Sequence, residues 1–341
     1  MTSSLILGIE TSCDETAAAV VEEGRVVRSS VVSSQIDLHA RYGGVVPELA
    51  GRAHLERIVP VILESLSAAG LDVFRLRESN ALRAIGATVG PGLVGSLLVG
   101  ISAAKSCALA WGVPFVGVNH LEGHLYAALL ENPDLELPVV VLLVSGGHTL
   151  SVALKRPGHY TILGETVDDA AGEAFDKVAR FLDLGYPGGP AIERIASGAD
   201  REAIVFPRPL LGTGLDFSFS GLKTAVIHYV RAHPEAVTAD VAASFQAAVV
   251  DVLVGKAIAA AREIGARGLC LAGGVAANGP LREAATVACE KEGIALYVPS
   301  LAMCTDNAAM IAAAAWFLLE RDGPSPLSLD AKPNLRLAEA T

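Results

Sequence analysis

The sequence predicts an α/β fold, and three observations carry that expectation. Apolar strand-like runs alternate with helix-length segments; one strand–turn–strand layout occurs twice, once in each half; and a late buried run ends in paired glycines. The first copy of the layout is Leu5 to Ile9, the polar turn Glu10 to Thr16, and Ala17 to Val21. The second is Val139 to Val144, Ser145 to Thr149, and Leu150 to Leu154. Each reads as a β-hairpin whose turn of small polar residues can aim backbone N–H groups and hydroxyls at a phosphate. Two such turns facing across a cleft would hold a nucleotide from both sides, although small polar residues are also what an ordinary turn requires.

Between these landmarks the helices are expected at Pro47 to Ala69, Leu93 to Ala110 and Ala242 to Ile264. Gly90-Pro91-Gly92-Leu93-Val94-Gly95 follows a strand, Ala84 to Val89, and matches the dinucleotide fingerprint G-x-G-x-x-G. The acid that should hold a ribose some 20 residues on is missing, because 108–118 contains no Asp or Glu. A tight strand-to-helix turn is the better reading. Late in the chain Gly268 to Ala272 is a strand, and Gly273-Gly274 after it permit close approach of a flat ring or ribose, with Asn278 offering donor and acceptor. After Gly323 the prolines 324, 326 and 333 predict irregular surface chain.

At 341 residues the chain exceeds a comfortable single core, so a two-lobed body or two domains is expected, and 52% apolar against 18% charged residues excludes wholesale disorder. The apolar runs Leu137 to Val144 and Met310 to Leu319 are too short to span a bilayer, and no basic n-region precedes Leu5, which predicts neither a membrane span nor a signal peptide. Five scattered cysteines without a C-x-x-C indicate neither disulfides nor a zinc ribbon and suit a reducing cytosol. A net charge of −11 argues against general affinity for polyanions, so a nucleic-acid substrate would need a local basic patch or a helper subunit.

The most informative stretch is Asn119-His120-Leu121-Glu122-Gly123-His124. At the start of a helix, imidazoles four residues apart share one face and can hold one transition-metal ion. A third ligand is offered by Asp306 in Cys304-Thr305-Asp306-Asn307, just before an apolar helix from Ala308 to Leu319, where an Asp could equally be a helix N-cap. A zinc peptidase needs its Glu directly after the first His. Glu122 lies two places after it, roughly 200° round the helix, and should point away from the metal.

Taken together, Gly8-Ile9-Glu10-Thr11-Ser12-Cys13-Asp14-Glu15-Thr16, the 119–124 stretch, Leu143 to Thr149, Asp168 to Lys177, Tyr186 to Pro190, Phe217 to Thr224 and Cys304 to Asn307 resemble, in order, the bacterial TsaD family from about residue 5 to 316. That family, once labelled a glycoprotease, is the tRNA N6-adenosine threonylcarbamoyltransferase. The resemblance implies an actin-like, sugar-kinase and Hsp70-type ATPase fold, with two similar lobes around a nucleotide cleft. The lobes are expected at 1–118 and 119–316, with a helical insertion at about 165–240 and a tail at 317–341. It implies transfer of a threonylcarbamoyl group from threonylcarbamoyl-AMP to N6 of the adenosine beside the anticodon, in tRNAs reading codons that begin with A.

It further implies that His120, His124 and Asp306 hold one divalent ion, iron or zinc, and that Leu143, Val144, Ser145, Gly146 and Gly147 line the adenylate. Asp176, Gly189 and Asn278 would take its adenosine part, with Gly188 beside them, and Asp14 and Glu15 are the candidates for catalytic polar work. An adenine nucleotide (ATP, ADP or the adenylate), a TsaB-like paralogue as heterodimer partner, a small TsaE-like ATPase and a cytoplasmic location complete the implication. The competing expectations are a metallopeptidase and a non-catalytic, nucleotide-gated binding module of the same fold.

Overall fold

The computed structural model describes residues 4–132, 134–156 and 158–337. The chain begins with β1 (Leu5–Glu10), β2 (Glu15–Glu22) and β3 (Val26–Ser34), then α1 (Ile36–Ala40), α2 (Pro47–Ala68) and α3 (Leu76–Ser79). It continues through β4 (Leu82–Gly90), α4 (Val94–Trp111), β5 (Phe115–Asn119) and α5 (His120–Glu131). The next stretch carries β6 (Val139–Val144), β7 (Thr149–Arg156), β8 (His159–Glu165), α6 (Ala171–Phe181), α7 (Gly188–Ala196), α8 (Ser220–Ala232) and α9 (Thr238–Ile264). After β9 (Gly268–Ala272), α10 (Gly279–Glu292), β10 (Ala295–Tyr297) and α11 (Leu301–Cys304) comes the last helix, α12 (Ala308–Asp322).

Two compact units result. One runs to residue 133 and resumes at 305; the other spans 134–304. The sequence-based boundaries at 118 and 316 instead divided the chain at β5 and inside α12. The actual division follows packing: α12 lies on β1, β2 and β4 of the first unit and beside α5.

Each unit holds a five-stranded sheet of the same order, β3-β2-β1-β4-β5 in the first and β10-β9-β6-β7-β8 in the second. In both, the hairpin strands pair antiparallel and the later strands add in parallel, so β1 pairs β4 as β6 pairs β9. This is the repeated layout the sequence shows, and the near-continuous apolar runs of β1 and β6 match strands buried on both faces.

In the first unit, α2 and α4 cover the sheet, and Leu7, Ile9, Ile58, Ile62, Ile85, Leu97 and Ile101 share one core. Alanine-rich α12 packs on the sheet at very short range. A Cβ at Gly8 would meet Ala308 O at 2.3 Å, and one at Gly86 would meet Ala315 Cβ at 2.5 Å. Among the described residues after Gly323 there is no regular element, as expected, and this stretch is docked on the first unit. Leu329 and Leu335 pack against the core, Lys332 N donates to Val89 O (2.7 Å), and Asn119 Nδ2 donates to Arg336 O (3.0 Å). The glycine-rich turn at 90–95 also has a structural use: Leu93 N donates to Ser12 O (2.8 Å), holding α4 against the β1–β2 turn.

The second unit is built on α9, whose 27 residues are buried along most of their length among β6, α6, α7 and α10. The short apolar runs noted in the sequence understate two helices: α4 and α9 are both long and apolar enough to cross a membrane by length and composition alone. For α9 that composition serves the core; α4 buries Leu97, Ile101 and Ala104 against its sheet and leaves Leu98 and Leu109 exposed.

Candidate functional site

In the first unit, Asn119 caps α5 by accepting from Leu121 N (2.9 Å), which makes His120 the first helical residue and sets His124 one turn on. Asn307, not Asp306, caps α12, its Oδ1 accepting from Met310 N (3.0 Å). Asp306 is thereby released from the capping role its position suggested. The two helices approach closely at Gly123, where a Cβ would lie 2.8 Å from Ile311 Cδ1 and 3.2 Å from Met310 Cγ. The glycine between the histidines leaves room for these two side chains where α5 meets α12.

Asp306 Oδ1 lies 3.4 Å from His120 Nε2 and 3.3 Å from His124 Nε2, and one ligand atom from each residue falls within 4.8 Å of the others. Ligand atoms about 2.1 Å from a tetrahedral ion are about 3.4 Å apart, whereas a charged N–H···O bond would be about 2.8 Å. Neither nitrogen of the fully buried His124 has a hydrogen-bond partner among the described residues. Two imidazole nitrogens and one carboxylate oxygen, at that spacing and with orphaned lone pairs, fit a divalent transition metal. Burial opposes charge on His120, but Asp306 and Glu10 outweigh it and raise its pKa well above the usual value. Burial likewise opposes charge on Asp306, and the imidazoles hold it well below the carboxylate range. The local field favours a cation.

Glu10, which the sequence reading passed over as the start of a polar turn, lies behind His120. It is fully buried, and its Oε2 is 3.0 Å from His120 Nδ1. Glu122 points elsewhere, as its spacing predicts, with Oε1 3.9 Å from Arg321 Nη1. Asp14 and Glu15 sit half-buried at the β1–β2 turn. Asp14 O accepts from Gln35 N (2.9 Å), and Glu15 Oε1 accepts from Ser34 Oγ (3.0 Å). Burial, then the Asp306 and Asp14 charges, push the Glu15 carboxyl up to about 9.

In the second unit, Leu143 and Val144 are buried in the β6 ladder, and the turn after them is closed by Ser145 N donating to His148 O (2.8 Å). Of the five residues expected to line the adenylate, Ser145 therefore has its amide already taken. The amides of Gly146 and Gly147 have no partner among the described residues, and both residues are exposed. The start of α6 abuts this turn because residue 172 is glycine: a Cβ there would lie 2.4 Å from Ser145 O.

One turn along α6, Asp176 Oδ1 accepts from Gly188 N (2.7 Å) at the start of α7, and burial raises its pKa. Glu193, further along α7, accepts from Asn278 Nδ2 (3.1 Å) and Gly279 N (3.0 Å). Asn278 Nδ2 also donates to Gln246 Oε1 (2.9 Å), and its Oδ1 caps α10 through Leu281 N (3.0 Å). The 143–147 turn, Asp176, Gly188, Gly189 and Asn278 thus gather around α6 and α7. The side chain of Asn278 is already committed, and sequence reasoning missed its partners Glu193 and Gln246, which lie 85 and 32 residues away.

Comparison with known proteins bears on this arrangement directly. The family model for TsaD, tRNA N6-adenosine threonylcarbamoyltransferase, matches residues 26–313. The chain belongs to that family. Proteins carrying the same name in Symbiobacterium thermophilum and Anaeromyxobacter dehalogenans are 54% and 55% identical over 340 residues, covering 99% and 97% of this chain and 98% and 99% of theirs. Among solved structures, HypF of T. kodakarensis superposes with a TM-score of 0.65 at 16% identity, over 94% of this chain and 48% of that one. Component A of the Acidaminococcus fermentans (R)-2-hydroxyglutaryl-CoA dehydratase gives 0.52 at 14%, over 92% and 98%. These likenesses establish the actin-like fold that the TsaD resemblance implied.

Proposed function

We infer that the chain transfers a threonylcarbamoyl group from threonylcarbamoyl-AMP to N6 of the adenosine beside the anticodon, in tRNAs reading codons that begin with A. Membership of the transferase family, shared nearly end to end with relatives of that name, carries this reading. The exocyclic amine attacks the carbamoyl carbon, the bond from that carbon to the phosphate oxygen breaks, and AMP departs. An aromatic amine is a weak nucleophile, so electrophilic help is needed.

His120, His124 and Asp306 would hold a divalent ion, iron or zinc, which supplies a Lewis acid with open positions. The free amides of Gly146 and Gly147, on an exposed turn, would bind developing negative charge on oxygen; one such donor contributes about 2.7 to 4 kcal/mol in comparable sites. Asp176, Gly188, Gly189 and Asn278 would take the adenosine half; Asp14 or the substrate phosphate would accept the proton leaving N6, and Glu15, its carboxyl pushed up to about 9, would serve as a proton donor. The metallopeptidase alternative is not favoured, because Glu122 turns toward Arg321.

A protein partner supports tRNA binding by a chain of net charge −11. Leu55, Val59 and Leu63 form an exposed strip on α2 at four-residue spacing, and α4, packed beside it, exposes Leu98 and Leu109. That surface fits the helices of a TsaB-like paralogue, with a TsaE-like ATPase completing a cytoplasmic assembly. The test is to combine the chain and these partners with unmodified tRNA and threonylcarbamoyl-AMP, digest the RNA and weigh the nucleosides. A mass gain on adenosine is expected; its absence removes the reading.

A further inference from the structure

Glu10 is a carboxylate with an unusual burden. It is the last residue of β1, no surface of it is exposed, and among the described residues no lysine or arginine pairs with it. A buried charge of this kind costs several kcal/mol unless it is fully hydrogen-bonded. Its bonds come from three separate places. Oε1 accepts from Ser12 N in the adjoining turn, and Oε2 accepts from Thr88 Oγ1 on β4 (2.6 Å) and lies 3.0 Å from His120 Nδ1 on α5. The Ser12 hydroxyl is the other neighbour of that ring nitrogen, at 3.2 Å.

We propose that Glu10 is a positioning residue that fixes the tautomer and the plane of His120 as a metal ligand, an inference that rests on the metal reading of His120, His124 and Asp306. A carboxylate on Nδ1 keeps the proton on that nitrogen, which leaves Nε2, 3.4 Å from Asp306 Oδ1, to bind the ion that the two residues would share. His124 has no such support. Its Nδ1 is without a partner among the described residues, and its ring is held by helix packing and by the edge of the His120 ring, 4.9 Å between centroids at 86°. The two histidines are therefore unequal: His120 is oriented from behind by a charge, and the His124 orientation follows from His120 and Asp306.

This asymmetry defines the experiment. Zinc(II) affinity of the full chain is measured by competition with a chromophoric chelator, alongside the d–d spectrum of the cobalt(II) form and the thermal midpoint of the metal-free form. Glu10→Gln is expected to bind zinc about 10- to 100-fold more weakly and to alter the cobalt spectrum. Glu10→Asp, which keeps the charge, should recover part of the affinity.

In the unaltered zinc-loaded chain, nitrogen-15 NMR of histidine should show His120 bound through Nε2 with a proton on Nδ1. That measurement stands even if Glu10→Gln does not fold. Zinc affinity and cobalt spectrum unchanged in a folded Glu10→Gln, or His120 bound through Nδ1, overturns the proposal alone. Failure of the unaltered chain to bind zinc overturns it together with the metal reading.

Discussion

In the first unit the turn after the central hairpin strand runs Glu10-Thr11-Ser12-Cys13-Asp14; in the second the equivalent turn runs Ser145-Gly146-Gly147-His148. Strand order and pairing around the two turns are the same. The first turn brings in carboxylates, one of them buried under a histidine, and so favours a cation. The second has no acid, exposes two glycines and leaves their amides unpaired, and so favours an anionic or electron-rich oxygen. One supersecondary frame, used twice, acquires opposite electrostatic sense from four or five turn residues.

The sharpest way to break this contrast is to remove a ligand from the first unit. His120→Ala and Asp306→Ala should each lose stoichiometric metal by elemental analysis. Each should also cut transfer by at least about a hundredfold, since Lewis-acid stabilisation is worth several kcal/mol. Next, Gly146→Pro deletes one of the two free amides of the second turn. Transfer is expected to fall about a hundredfold or more with metal content unchanged; loss of metal in this variant would end the division of roles between the turns.

A smaller effect is expected from Gly123→Ala, whose added methyl meets the Ile311 and Met310 side chains and makes them shift between α5 and α12. Overpacking of this kind costs about 1 to 3 kcal/mol, read as a lower thermal midpoint, and metal affinity should fall with it.

The smallest concerns Asp168, which lies outside both turns and anchors α8 through Phe219 N (2.8 Å), Ser220 N (3.2 Å) and the Ser218 and Ser220 hydroxyls (2.6 Å each). Slight burial opposes its charge, and these donors outweigh it, so its pKa is lowered. A lowered carboxylate stabilises the fold above its unfolded pKa of about 3.9, and that contribution is lost as pH falls through the folded value. After screening at this exposed site it amounts to under about 1 kcal/mol. The drop in thermal midpoint from pH 7 to pH 3 should be slightly smaller in Asp168→Asn than in the unaltered chain.

The repeated hairpin was legible because both copies combine a buried apolar run with a short polar turn, a local signal. So was the histidine pair, since helix geometry fixes what four residues of separation means. Asp306 was legible only in part: a lone Asp before an apolar helix reads as a cap, and nothing local says that Asn307 takes that role. Glu10 was not legible at all, because its meaning depends on a ring 110 residues away. The committed side chain of Asn278 and the placement of α12 with the first unit are likewise set by partners distant along the chain, which no periodicity reports.

Glycine at 123 has a consequence for the spacing of the three candidate ligands. Distances among His120, His124 and Asp306 depend on how α5 and α12 pack, and the Ile311 and Met310 side chains that fill the space beside Gly123 are part of that packing. Exchange of residues 310, 311 or 123 would therefore change the spacing of His120, His124 and Asp306, and with it the size of ion the three would prefer, without altering any of them.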